Sequence, residues 1–291
     1  MLKFGTSLPA VQQIPARVQA WERAVGGVEI LEAARAAERA GYAWVSCSDH
    51  VAVPVSRAEA MGPTWYDAGS TLAFVAGATS RIGLLSHVLV LPYRHPLLVA
   101  KQLGTLDHLS GGRVILGVGS GHLKAEFKVL GADFERRGLV TDEYLGAIAA
   151  AWQGDVARFA GETVAFRDVM VSPRPARRPP VWVGGNSRAA LRRAARLGDG
   201  WIPWELTPDD FAAAVTDARR MREAAGRSER FEWVAPLAAP ADAPADQIVA
   251  SATRWRQAGA TAIHVGVGAR SFAEFLARLA WVAAEVMPHV E

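Results

Sequence analysis

The chain has almost no cysteine. Cys47 stands alone among 291 residues, which excludes a disulfide framework within the chain and any CxxC metal pattern. Long apolar runs are also missing. No stretch approaches the roughly 20 residues of a membrane-spanning helix. The first residues carry Lys3, Gly5 and Pro9 rather than an apolar segment, so no signal peptide and no membrane partner are expected and the expected location is cytoplasmic. A GxSxG elbow, a P-loop and an HExxH pair are all absent. The seven histidines show no metal-ligand spacing, and no metal site is expected. Positive charge is present but not concentrated. The net charge is +3 and the sequence pI about 9.3. The densest basic run, Arg174 to Arg178, is interrupted by Pro175 and flanked by Pro173 and Pro179, with no aromatic residues between. A base-stacking platform needs both, so nucleic acid is not an expected partner.

What is there is a globular core. Hydrophobic residues make up 51% and charged residues 21%, far from the composition of a disordered chain. Strand-like and helix-like segments alternate. Strands are predicted at Lys3–Leu8, Tyr42–Ser46, Ile82–Leu91, Arg113–Gly117, Val181–Val183, Trp201–Pro203, Phe231–Ala238 and Ala262–Gly266. Helices are predicted at Val28–Ala40, Thr71–Ala78, His95–Leu109, Lys124–Leu130, Thr141–Trp152, Ser187–Leu197, Pro208–Ala225, Ala245–Ala258 and Phe272–Val286. Val156–Val171 reads as a small irregular or hairpin excursion. About eight strand-then-helix units in this length predict a single-domain α/β fold over residues 1–291, a closed (β/α)8 TIM barrel. An open doubly wound sheet is the alternative. Two irregular stretches, Pro9–Gly27 and Val51–Gly69, follow predicted strands and would sit as insertions over the C-terminal face, where specificity is built.

Four segments could carry chemistry. His50 follows the second strand, where a barrel collects catalytic groups and an imidazole can move a proton near neutral pH; a packed strand-end histidine fits the position equally well. Ser86-His87 interrupts an apolar strand and needs partners, either as a ligand-facing bulge or, more in keeping with burial, as a satisfied core pair. Gly117 to Gly121, followed by His122, lets backbone approach a ligand, although it is not the dinucleotide fingerprint. His122 and Glu126 share one helix face, which solvent alone would explain. Gly184, Gly185, Asn186 and Ser187 join a strand to a helix start. Free N–H groups there suit an anion, and a plain capped turn would look the same. Trp21, Trp65, Trp201 and Trp204 suggest a partly apolar pocket, or ordinary core packing.

GYAWVSCSDHV (Gly41–Val51), Arg81–Gly131 with its LDHLSGGR core, and PPVWVGGNSRAALRRAARLGDGWIP (Pro179–Pro203) resemble, in order and spacing, the luciferase-like monooxygenases. The similarity is strongest to their short F420-dependent branch. The resemblance implies a barrel with coenzyme F420 over its C-terminal mouth. It also implies His50 as the catalytic group beside the reactive carbon and a non-prolyl cis peptide at Ser86-His87 behind the ring. Gly119, Ser120, Gly121 and His122 would line the cofactor, and Gly184, Gly185, Asn186 and Ser187 would hold its phosphate. Apart from the resemblance, the positive charge of Arg174 and Arg177 would suit a polyglutamate tail. Implied partners are a small-molecule substrate, a second copy of the chain in a homodimer, and a flavin or F420 reductase as cofactor supplier. The alternatives within the resemblance are an FMN-dependent monooxygenase using oxygen and a non-catalytic cofactor-binding barrel. Two departures stand against carrying over a sugar-phosphate substrate. His122 replaces an acidic residue of the F420-dependent sugar-phosphate dehydrogenases, and Pro54 replaces an aromatic one.

Overall fold

The computed structural model describes residues 2–290. Eight parallel strands form its centre: β1 (Lys3–Ser7), β2 (Trp44–Cys47), β3 (Gly83–Ser86), β4 (Val114–Gly119), β5 (Val181–Gly184), β6 (Gly200–Ile202), β7 (Glu232–Ala239) and β8 (Ala262–Val267). Each pairs in parallel with its neighbours. The ring closes through β8 on β1, with Phe4 opposite Ile263, and through β3 on β4, with Leu84 opposite Val114. The alternation read from the sequence therefore yields the closed barrel and not the open sheet. Of the two shapes expected of Val156–Val171, irregular or hairpin, the antiparallel pair Ala157–Ala160 and Ala165–Val169 shows the hairpin.

Strand pleating sorts the side chains. On β2 and β5, Val45, Cys47, Val181 and Val183 face outward into the large cluster shared with the helices, while Trp44 and Trp182 face inward. The two indoles meet edge to face at 5.0 Å and fill the barrel floor. Neighbouring strands make room for them with glycine. A Cβ on Gly5 would lie 2.0 Å from Trp44, and one on Gly200 would lie 2.5 Å from Trp182. The outer helices, among them α3 (Ala68–Ala76), α4 (Pro96–Ser110) and α6 (Arg137–Gln153), supply the other half of the core on stripes of helical period. In α1 (Gly27–Arg39) the buried residues are Ile30, Ala33, Ala34 and Ala37.

The long apolar run from Ile82 to Leu91 is not one strand. It breaks after Ser86 and resumes at Leu89–Val90, which pairs with Val118 and Gly119 at the upper end of β4. A non-prolyl cis peptide lies in the break, at His87-Val88 rather than at Ser86-His87. The N–H of His87 reaches the carbonyl of Cys47 at 2.7 Å, so His87 is still tied to β2 and the chain turns one residue later than expected. The two irregular stretches pair with each other. Gln12 bridges Trp65, the N–H of Gln13 donates to Thr64 at 3.0 Å, and that of Tyr66 donates to Val11 at 3.0 Å. Within them lie a 3-10 turn, Ala20–Ala24, and a short helix, α2 (Val55–Met61), neither of which has a buried apolar stripe that sequence periodicity could show. No helix among the described residues is long and apolar enough to cross a membrane.

Candidate active site

His50 sits on the loop leaving β2, at the C-terminal mouth of the barrel. Its Nδ1 lies 2.7 Å from Oε2 of Glu126. Glu126 belongs to α5 (Lys124–Leu130) and its side chain is fully buried. The carboxylate accepts four hydrogen bonds if the imidazole donates: from His50, from the Tyr93 hydroxyl at 2.9 Å, and from the N–H groups of Val51 at 2.7 Å and Ala52 at 3.0 Å. Burial alone pushes the carboxyl pKa up, but the His50 hydrogen bond and charge together with the two backbone donors outweigh it, and the net shift is downward. An ionised Glu126 accepts only, so Nδ1 of His50 carries a proton and Nε2 is the nitrogen left for proton transfer. The Tyr93 phenol, pushed above its ordinary range by burial and by Glu126, stays a donor. Trp65 stands edge-on against His50 at 4.4 Å, and His122 at 5.9 Å. Burial and the neighbouring His50 both lower the pKa of His122.

One residue earlier, Asp49 anchors this loop. Its oxygens accept from Arg94 at 2.8 and 2.6 Å and from the N–H of Val90 at 3.0 Å. The fork ties the end of β2 to the turn after Leu89–Val90 and sets the loop from which His50 projects.

Inside the mouth, Ser86 is engaged with backbone. Its hydroxyl donates to the Gly117 carbonyl at 2.9 Å and accepts from the Gly117 N–H at 3.0 Å. Both contacts are to backbone, so the Ser86 hydroxyl is satisfied within the core. Val88, just past the cis bond, is wedged between Gly119 and Gly184, where a Cβ on either would come within 2.8 Å of its methyls. These two glycines thus make room for the bulge. His87 packs edge-on against His264 at 4.5 Å. The indole N–H of Trp44 donates to Nδ1 of His264 at 3.1 Å, which leaves Nε2 to donate to the Ser7 hydroxyl at 3.0 Å. Burial lowers the pKa of His87 to about 4, and burial together with His87 holds His264 well below the ordinary range.

At the β5 turn Gly185 takes φ +108°, a left-handed value that favours glycine. The Asn186 amide clamps the backbone of Trp204 in both directions, donating to its carbonyl and accepting from its N–H at 3.1 Å. Ser187 caps α7 (Arg188–Leu197) by accepting from Ala190 at 3.1 Å. The first-turn N–H groups of Arg188 and Ala189, on exposed residues, have no intrahelical acceptor. Gly121 adopts φ +76° beside Phe127 and Val90, while Ser120 is half-buried at the end of β4.

The structure therefore joins His50 with His122 at one side of the mouth. It gathers Ser86, His87, Gly119 and Gly184 around Val88, and sets Gly185, Asn186 and Ser187 at the start of α7. Of Trp21, Trp65, Trp201 and Trp204, only Trp65 packs on His50. Trp21 packs on Phe272 and Phe275, Trp201 stacks on Phe211, and Trp204 is exposed. Sequence reasoning missed Tyr93, His264 and Ser7, and named Glu126 without placing it. A histidine inside the apolar strand AIHVG was the available signal for His264, since a buried polar group needs partners. Among the described residues no cluster of potential ligands could hold a metal ion.

The "Luciferase-like monooxygenase" family profile matches residues 2–286. An uncharacterised protein of Mycobacterium tuberculosis is 35% identical over 211 residues, 68% of this chain and 73% of that one. The FMNH(2)-dependent dimethylsulfone monooxygenase of Pseudomonas putida is 32% identical over 159 residues, 53% of this chain and 44% of that one. In fold, an F420-dependent secondary alcohol dehydrogenase solved with an F420-acetone adduct superposes with a TM-score of 0.83, covering 100% of this chain and 99% of that one at 15% identity. With the profile spanning nearly the whole barrel, the chain belongs to the luciferase-like monooxygenase family.

Proposed function

We propose that the protein is an F420-dependent oxidoreductase moving a hydride between the deazaflavin and a small organic substrate. The observation that carries this reading is the His50–Glu126 pair at the mouth. Alcohol oxidation or carbonyl reduction moves a proton at the substrate oxygen along with the hydride at carbon, and the pair supplies a group for that proton. His50 Nε2 holds or takes the proton. Glu126 fixes the tautomer and favours the imidazolium that forms. Trp65, edge-on to the ring, limits water around it.

The residues present fit the cofactor. The exposed first turn of α7, after Gly184-Gly185, suits a phosphate. Ser48 at the end of β2 holds a buried hydroxyl without a protein partner. Gly119 to His122 and His87 would face the ring, and F420 when bound supplies the two-electron hydride chemistry. The dimethylsulfone monooxygenase similarity favours a second reading, an FMN-dependent monooxygenase fed by a partner reductase. Fluorescence titration with F420 and with FMN separates the two. Micromolar F420 binding with weak FMN binding is expected, and the reverse preference overturns the first reading. In His50→Ala, turnover falls by about 10²–10⁴ while cofactor affinity changes little; unchanged turnover would remove His50 from the mechanism.

His87 also gives a pH prediction. Its pKa falls from an ordinary 6.5 to about 4 on folding, so the unfolded chain binds the extra proton first. The stability due to its neutral burial is full above pH 6.5 and is lost as pH falls towards 4. The unfolding midpoint should decline through that window and decline less steeply in His87→Gln. Equal slopes in the two proteins would show that His87 does not titrate on unfolding.

A further inference from the structure

A cavity of about 910 Å³ opens beside the mouth, between α2 and α5. Its apolar surface comes from Met61, Phe127 and Phe134. Arg57 and Lys128 bring positive charge and form no salt bridge among the described residues; Asp133, which accepts from the Arg136 N–H, also lines it, and with the Lys124–Glu135 pair the lining keeps one net positive charge. Lys124, which also lines it, is neutralised by Glu135 at 2.5 Å. His122 belongs to the cavity lining and stands 5.9 Å from the His50 ring. The cavity therefore abuts the proposed proton-transfer group through one side chain. The Phe127 floor is held rigidly, edge-on to Tyr93 at 4.8 Å, and Tyr93 in turn bonds Glu126.

We propose that this cavity is the substrate-binding chamber and that it takes an anionic amphiphile. An apolar chain would lie against Met61, Phe127 and Phe134. Its carboxylate or phosphate would meet Arg57 and Lys128, and its reacting end would pass His122 to reach His50. Apolar walls supply affinity by removing chain surface from water, and the two cations select for charge. A substrate without the anion would leave both cations in water and forgo the selection. This rests on the reading of His50 as the reacting centre.

The test uses the purified full chain without cofactor, so that it does not depend on turnover. Decanoate and its uncharged analogue decanamide are titrated by calorimetry. Decanoate is expected to bind about tenfold more tightly. In the double variant Arg57→Gln/Lys128→Gln the preference disappears while decanamide affinity holds. Ala60→Trp, which fills the cavity from α2, should weaken both ligands by about tenfold or more without altering the unfolding midpoint. Equal binding of acid and amide, or decanoate binding that Ala60→Trp leaves intact, overturns the proposal. Cofactor titration of the same preparations keeps the two readings apart. Decanoate binding without F420 or FMN binding would sink the cofactor assignment alone, and cofactor binding without decanoate binding would sink the chamber alone.

Discussion

Glu126→Gln lowers kcat by about 10²–10⁴ while the fold and cofactor affinity stay close to those of the unchanged protein. The reasoning runs through hydrogen-bond direction. The N–H groups of Val51 and Ala52 both donate to Oε1 of Glu126, so a glutamine keeps its carbonyl oxygen there and turns its NH₂ towards His50. Nδ1 must then accept, and the neutral imidazole carries its proton on Nε2, the nitrogen that should be free to take one. The amide also removes the negative charge that stabilises the imidazolium. Nitrogen NMR of the imidazole reads the tautomer directly, independently of any substrate. In a double-mutant cycle, Glu126→Gln on top of His50→Ala should add little, because the carboxylate acts through the ring. A kcat within about threefold, or a tautomer unchanged by the amide, would reduce Glu126 to a packing residue. The variant should also change the acid limb of stability. The Glu126 carboxyl has its pKa lowered on folding. Its contribution is present above the unfolded carboxylate range and is lost as pH falls through the lower folded value, and a glutamine has no such loss.

The architecture could be read from the sequence because its elements are periodic. The helix predicted at Lys124–Leu130 has those bounds in the structure, and Ala245–Ala258 ends one residue later than its helix does. Strands buried on both faces show as continuous apolar runs, which is why Val181–Val183 and Ala262–Gly266 stood out. Periodicity could not show the break after Ser86, because Leu84, Leu85, Val88, Leu89 and Val90 are apolar on either side of it. Nor could it show α2, which has no buried residue. The site was half legible. His50 was placed by its strand end and Gly184 to Ser187 by the turn. The partner that gives His50 its direction lies 76 residues away in sequence. Nothing local distinguishes Glu126 from a solvated helix carboxylate; only the closure of the barrel, which brings the loop after β2 against α5, buries it.

Arg94→Ala unfolds the chain more readily by about 3–5 kcal/mol. Asp49 has no exposed side-chain surface, and its two oxygens are held by the Arg94 fork at 2.8 and 2.6 Å and by the Val90 N–H at 3.0 Å. Removing the guanidinium leaves a buried carboxylate with one backbone donor. The penalty is that of an uncompensated charge rather than the net worth of the pair. Two further variants isolate this cause. Asp49→Asn combined with Arg94→Ala removes the stranded charge and should recover a large part of the loss. Arg94→Lys keeps the charge but cannot reproduce the two-pronged contact, and should fall between the unchanged protein and Arg94→Ala. Urea unfolding gives all three free energies, and a loss below about 1 kcal/mol for Arg94→Ala would mean that water reaches Asp49 freely. The clamp also bears on the site, because Asp49 is covalently next to His50 and Arg94 follows Tyr93, a donor to Glu126. Loosening it displaces the imidazole and one of the donors on its carboxylate together. Catalysis in Arg94→Ala should therefore fall even at temperatures where the chain remains folded, and in Arg94→Ala/Asp49→Asn it should stay low although stability returns.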